Sequence, residues 1–281
     1  MASVLVLGAT GRYSPLARVL LDAGHRVLAG TRRPHSPAAR ALRAAGAEPV
    51  AVDFDDPGTI RAAAELADVV FAAGTAHRAG PSGDSRHGQA IVGAAQAAGA
   101  HLVYVSVAGA DRPSDVPIFE GKRRVEDAIR ASGAPFTIVA PVYFMENVWN
   151  PWNLAVLAGG RLPSPVPASR LLQQISLDTV IDVVSHVIRS RHSLAGERIE
   201  IASDELSSLD AAEVVSRIVG RRVDVDDELR GGPLPLFAWL DRVGYSVDLD
   251  SLRRRFSDVR WRRFEDWAAE QDWSILAGTP S

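Results

Sequence analysis

Short apolar runs recur through the first half of the chain, each followed by a turn and then by apolar residues at helical spacing. Residues 4–7 form the first run and end in a glycine turn, after which Leu16, Val19 and Leu20 share a helical face until Gly24 closes it. The alternation continues with a strand over 26–29, a helix over 37–45 stopped by Gly46, and a strand over 49–52. Asp56-Pro57 supplies a cap and a first-turn proline, and a strand follows over 69–73. A helix through Ile91 and Ala98 to Gly99, a strand over 102–107, a helix around 122–131 ending at Gly133, and a strand over 136–140 complete the series. Uniformly apolar strands separated by helices predict a parallel sheet covered on both faces, the doubly wound α/β architecture. Beyond Pro141 the pattern loosens into Trp149, Trp152, Pro163, Pro165 and Pro167, with helices near 211–219 and 234–243. Residues 1–145 are therefore expected to form the sheet domain, and 146–281 a smaller, mainly helical lobe intertwined with it.

Composition narrows the function classes. The chain has 281 residues, 47% hydrophobic and 23% charged, enough for a substantial core. A formal net charge of −3 gives no global attraction to nucleic acid or anionic membrane. The six arginines at 253–255, 260, 262 and 263 alternate with Asp248, Asp250, Asp258, Glu265 and Asp266, which predicts a solvated mixed-charge face. Cysteine is absent, excluding disulfides and thiol chemistry and fitting a cytoplasmic location; no secretory signal is expected. The stretch between Arg86 and Asp111 lacks Asp, Glu, Lys and Arg, but Gln89, Gln96 and His101 make it too polar for a membrane span. No HExxH or GxSxG occurs and His186 and His192 fit no helical metal pair, so no metal site is expected.

The first turn carries the clearest chemistry. Gly8 and Gly11 occupy two positions of a dinucleotide phosphate loop, with Ser14 where a third glycine normally falls and Pro15 suited to the first helical turn. Gly8, Thr10, Gly11, Arg12 and Tyr13 are thus candidates for a pyrophosphate at a helix N-terminus. After the second strand an NAD-preferring site usually offers an acid, but this chain reads Thr31-Arg32-Arg33. Arg32, helped by Arg33 or Arg12, suits a 2′-phosphate, so NADP(H) is expected in preference to NAD(H).

The segments "GATG", "TRRP", "VDFDD", "AAQAAGAHLVYVSVAGA", "KRRVEDAIRASGAPFTIVAPVYFMENV" and "QISLDTVIDVV" together resemble the NmrA-like group of atypical short-chain dehydrogenase/reductases, across residues 3–220. The resemblance implies an NAD(P)-binding Rossmann fold with Asp53 and Phe54 beside the adenine and Ala72, Ala73 and Gly74 along the cofactor. It also implies Ser106 near the nicotinamide, Lys122 on its ribose, and the loop of Pro141, Tyr143 and Phe144 beside the carboxamide. Ordinary short-chain enzymes carry a catalytic tyrosine four residues before the lysine, whereas this chain has Ile118. The group contains quinone and enone-type reductases as well as nucleotide sensors without turnover.

Lys122 is the leading catalytic candidate, either holding the ribose or relaying a proton through a shifted pKa. Tyr143 and His77 are alternative proton donors, with Ser106 nearby. Phe144, Met145, Trp149 and Trp152 suggest either an apolar wall for a flat substrate or simply the core of the lobe. The expected function is an NADP(H)-dependent oxidoreductase acting on a quinone, enone or ketone of a small apolar or aromatic metabolite. The alternatives are a non-catalytic NADP(H)-sensing regulator and a cofactor-retaining epimerase or isomerase. Oligomeric state is left open.

Overall fold

The computed structural model describes residues 1–227 and 235–277, and of these all side chains except those of 76–78, 81 and 277. In chain order the elements are β1 Ser3–Leu7, α1 Ser14–Asp22, β2 Arg26–Thr31, α2 Pro37–Ala44, β3 Glu48–Ala51, α3 Pro57–Ala64, β4 Val69–Ala73, α4 Ala76–Ala98, β5 His101–Val105, α5 Pro117–Ser132 and β6 Phe136–Pro141. There follow β7 Tyr143–Phe144, α6 Leu154–Ala158, β8 Arg161–Pro163, β9 Leu172–Ile175, α7 Leu177–Arg189, β10 Glu197–Ile201, β11 Asp204–Leu206, α8 Ser208–Val219, β12 Asp224–Asp226, α9 Pro235–Arg242, α10 Leu249–Arg255 and α11 Phe264–Ala269. The chain divides into two compact units, Met1–Ala140 with Ile181–Ile199, and Pro141–Val180 with Glu200–Ser281.

The doubly wound sheet expected from the pattern is present, in the order β10-β6-β5-β4-β1-β2-β3. Its β1–β2, β1–β4, β2–β3, β4–β5 and β5–β6 pairs are all parallel. The chain builds outward from β1 to β3, then returns to β4 on the other side of β1, so the switch point lies between the carboxyl ends of β1 and β4. Leu5, Leu28, Ile60, Val70, Leu102, Ile129 and Ile138 form one apolar cluster of this unit. Local signals act as read: Ser36 caps α2 before Pro37 and Asp56 caps α3 before Pro57. Gly99 and Gly133 close α4 and α5 in the left-handed conformation.

The second unit carries two small sheets besides its helices, β11-β9-β7 and β12-β8. Met145, Leu157, Val215, Phe264, Trp267 and Trp273 form one of its cores. The expected helix over 234–243 is found at Pro235–Arg242, with Leu234 outside the described residues. No helix among the described residues is long and apolar enough to cross a membrane.

His101, at the start of β5, is buried with its Nε2 2.9 Å from Thr137 Oγ1, whose hydroxyl donates to the Leu194 carbonyl. Burial first, then Arg191 and His192, push its pKa down from 6.5 to about 4. The unfolded chain therefore binds this proton more readily, and the stability it contributes is intact above pH 6.5 and lost as pH falls toward 4. Between pH 7 and 4.5, wild type is expected to lose about 2–3 kcal/mol more than His101→Gln in urea unfolding. Equal losses would rule out this origin.

Candidate functional site

The turn after β1 is shaped by its glycines. Gly8 sits at φ +70°, favoured by glycine alone, and a Cβ on Gly11 would lie 3.2 Å from the Gly8 carbonyl oxygen. The Gly11 amide donates to that carbonyl at 2.8 Å and the Ser14 amide to the Gly11 carbonyl at 3.0 Å. Ser14 thus opens α1, and Pro15 occupies the second helical position, where no donor is needed. No side chain caps α1, leaving its positive end available to an anion. Leu7 and Gly30 are register partners, so the ends of β1 and β2 lie side by side. Thr10 and Thr31 hydroxyls meet at 3.2 Å. Arg32 and Arg33 follow, both exposed, with neither guanidinium hydrogen-bonded or ion-paired among the described residues.

Asp53 is bound into its own turn, donating its amide to Thr59 Oγ1 at 2.9 Å and accepting the Asp55 amide at 3.1 Å. Phe54 stacks on the His87 ring, centroids 5.6 Å apart. Ala72 and Ala73 end β4, beside Tyr104 and Val105 of β5, and Gly74 follows them.

Lys122 lies on the buried face of α5 with Phe119, Val125, Glu126 and Ile129, a spacing that brings it under Gly74. A Cβ on Gly74 would fall 1.6 Å from Lys122 Nζ, so the glycine is what admits the ammonium. Lys122 is 6% exposed, 3.3 Å from Asp84 Oδ2, and donates to the Tyr104 hydroxyl at 3.2 Å; Asp84 is 2% exposed. Asp84 also accepts the Thr75 amide; the Thr75 hydroxyl lies 2.9 Å from His87 Nδ1, and His87 Nε2 lies 3.0 Å from the exposed Asp55. A polar chain thus runs from the surface to Lys122. Burial pulls the Lys122 pKa down, but Tyr104 and Asp84 outweigh it and hold the ammonium above its usual value. Of the two roles expected of Lys122, this direction favours a standing cation that holds the ribose over a proton relay.

Ser106, which the resemblance places near the nicotinamide, has a buried partner. Its hydroxyl donates at 2.5 Å to Glu126, which is 0% exposed and also accepts from Arg130 at 2.8 Å and Arg198 at 2.9 Å. The His77 side chain lies outside the described residues.

Pro141, Tyr143 and Phe144 fall in the second unit, as Pro141 of β6 and the whole of β7. Tyr143 lines a cavity of that unit together with Met145, Trp152, Leu162, Gln174 and Phe237. Burial raises the Tyr143 phenol above its ordinary value, against a smaller downward pull from Asn147, so it keeps its proton at neutral pH. Trp149 packs on Trp273 with centroids 4.9 Å apart, as core.

Asp84, Tyr104, Thr75, His87, Asp55, Glu126 and Arg198 were not singled out in the sequence. Two had a signal: Glu126 follows Lys122 by one helical turn on an apolar stripe, and Tyr104 is a lone hydroxyl in a uniformly buried strand.

Comparison with known proteins gives a match of residues 1–227 to the NmrA-like family. A (4-alkanoyl-5-oxo-2,5-dihydrofuran-3-yl)methyl phosphate reductase of Streptomyces griseus is 36% identical over 154 residues, 53% of this chain and 51% of the relative. The aligned part thus spans about half the length of that curated relative. Triphenylmethane reductase of Citrobacter sp., solved with NADP(H), superposes with a TM-score of 0.76 at 16% identity, over 95% of this chain and 99% of that one. NmrA, a negative transcriptional regulator solved with NADP, gives 0.75 at 21% identity over 97% and 99%, and has also been solved with NAD. At these identities the solved structures establish the shared fold.

Proposed function

The chain belongs to the NmrA-like family, and from that premise we propose that it is an NADP(H)-dependent reductase of a quinone, enone or ketone of a small, largely apolar metabolite. The observation that carries the reading is the uncapped, glycine-shaped start of α1 at the switch point, with two uncommitted guanidinium groups at the end of the adjacent strand. Gly8 and Gly11 fit a pyrophosphate because they keep the cradle clear of side chains, and Arg32 with Arg33 fits a 2′-phosphate. The relatives support a nicotinamide coenzyme generally, since solved neighbours hold NADP(H), NADP or NAD.

When bound, the coenzyme supplies the hydride. Gly8, Thr10, Gly11, Arg12 and Tyr13 would hold its phosphates, and Asp53, Phe54 and Ala72 to Gly74 its adenine side and length. Lys122, kept charged by Asp84 and Tyr104, would orient the ribose and stabilise developing negative charge. Pro141, Tyr143 and Phe144 would serve the nicotinamide side.

Arg32→Ala is expected to weaken NADPH binding about thirtyfold, the loss of one charge-assisted contact, and to leave NADH nearly unchanged in calorimetric titration. Equal weakening of both coenzymes would remove the preference. A panel of quinones, enones and ketones with NADPH, followed at the nicotinamide absorbance band, tests turnover itself. A second reading, a coenzyme-responsive regulator, is favoured by Ile118 in place of the usual phenol and by the commitment of Ser106 to Glu126. Stoichiometric NADPH binding without consumption across the panel would select it.

A further inference from the structure

We propose that Gln174 is the specificity-determining residue of the cavity in the second unit, hydrogen-bonding a carbonyl or hydroxyl oxygen on an otherwise apolar, uncharged ring. The inference rests on the reductase reading and names the substrate class it leaves open. Along β9 the side chains alternate: Leu172 and Gln174 line the cavity, with Tyr143 of β7 as the register partner of Gln174. Gln173 points the other way and is satisfied, its amide donating to the Val247 carbonyl at 2.9 Å and accepting the Val247 amide at 2.8 Å. Gln174 is 8% exposed as a residue, and its side chain has no hydrogen bond among the described residues.

The serines, the asparagine amide and the carboxylate on the wall are already used. Ser164 and Ser208 bond each other at 2.7 Å, the Asn153 amide donates to the Asn147 carbonyl at 2.9 Å, and Asp226 pairs with Arg161 at 2.7 Å. The Tyr143 phenol, beside Gln174 in register, is the other polar group on this wall. The rest of the lining is dominated by apolar groups such as Met145, Val148, Trp152, Leu162, Phe237 and Phe264. A ligand that fills the cavity strips solvent from this amide, so one that pairs it is favoured over one that leaves it unpaired. An amide both donates and accepts, which suits a neutral oxygen. No Lys, Arg or His lies among the described lining residues, so a phosphate ester, as named for the Streptomyces griseus relative, finds no cation there.

The test uses the full chain and three ring probes: 1-indanone, indane, and 1-oxoindane-5-carboxylate, titrated calorimetrically with and without NADPH. Wild type is expected to bind 1-indanone about tenfold more tightly than indane, and the carboxylate most weakly. Gln174→Leu is expected to abolish the ketone preference with NADPH affinity unchanged. Gln174→Asn keeps the amide but withdraws it by one methylene, and is expected to reduce the preference; it decides the matter if the leucine variant does not fold. Absence of a ketone preference in wild type, its persistence in both variants, or tightest binding of the carboxylate each overturns the proposal. Failure of wild type to bind NADPH would instead sink the reductase reading, which the coenzyme-free titrations do not depend on.

Discussion

Asp84→Asn is expected to lower the folding free energy by about 3–5 kcal/mol at pH 7, because it leaves a buried ammonium without its counter-charge. Asparagine keeps an oxygen for the Thr75 amide and nearly the same volume, so packing changes little and the charge is what is removed. Lys122 stands in a site where burial disfavours its charge and the charge survives through Tyr104 and Asp84. Without the acid the lysine pKa falls. The deficit relative to wild type should therefore shrink as pH rises and the variant's lysine becomes neutral. Urea unfolding at pH 7 and pH 9.5 measures this directly. Adding Lys122→Met should recover much of the loss, since buried ion pairs exchange for apolar groups at little net cost. A deficit below about 1 kcal/mol, or one that the second substitution fails to relieve, would mean that water already screens the pair.

Glu126→Gln is expected to cost a similar amount, about 3–5 kcal/mol, for a different reason. The carboxylate accepts from Ser106, Arg130 and Arg198, and an amide must turn its NH₂ toward at least one of these donors. Arg198 also donates to the Val107 carbonyl at 3.0 Å and lies 3.4 Å from Asp111, so its displacement loosens the segment after β5. Calorimetric unfolding gives the magnitude. Ser106→Ala separates structure from chemistry: a hydroxyl serving only Glu126 leaves NADPH turnover within a few-fold, whereas a roughly hundredfold fall would restore Ser106 as a catalytic group.

The parallel sheet was legible because its central strands, β1, β4 and β5, are buried on both faces and read as apolar runs, and because glycines end the helices between them. β10 was not: Glu197-Arg198-Ile199-Glu200-Ile201 alternates, and more than fifty residues separate it from its neighbour β6. The short strands of the second unit, three or four residues in β8, β9, β11 and β12, are below the length at which period-two alternation is distinguishable from loop. α5 starts at Pro117, five residues before the expected first turn, because proline at the first helical position nucleates it there. The phosphate loop could be read from spacing, since its glycines act locally. The environment of Lys122 could not, because Asp84 and Tyr104 reach it across sequence separations that no periodicity records.

The clearance between Gly74 and Lys122 also constrains how the two positions can change over evolutionary time. A methyl group at 74 and a long cation at 122 claim the same volume, so the two sites form an epistatic pair whose substitutions have a preferred order. Truncation at 122 opens space that 74 can later fill, whereas the reverse order passes through a form in which the cation is evicted from its acid.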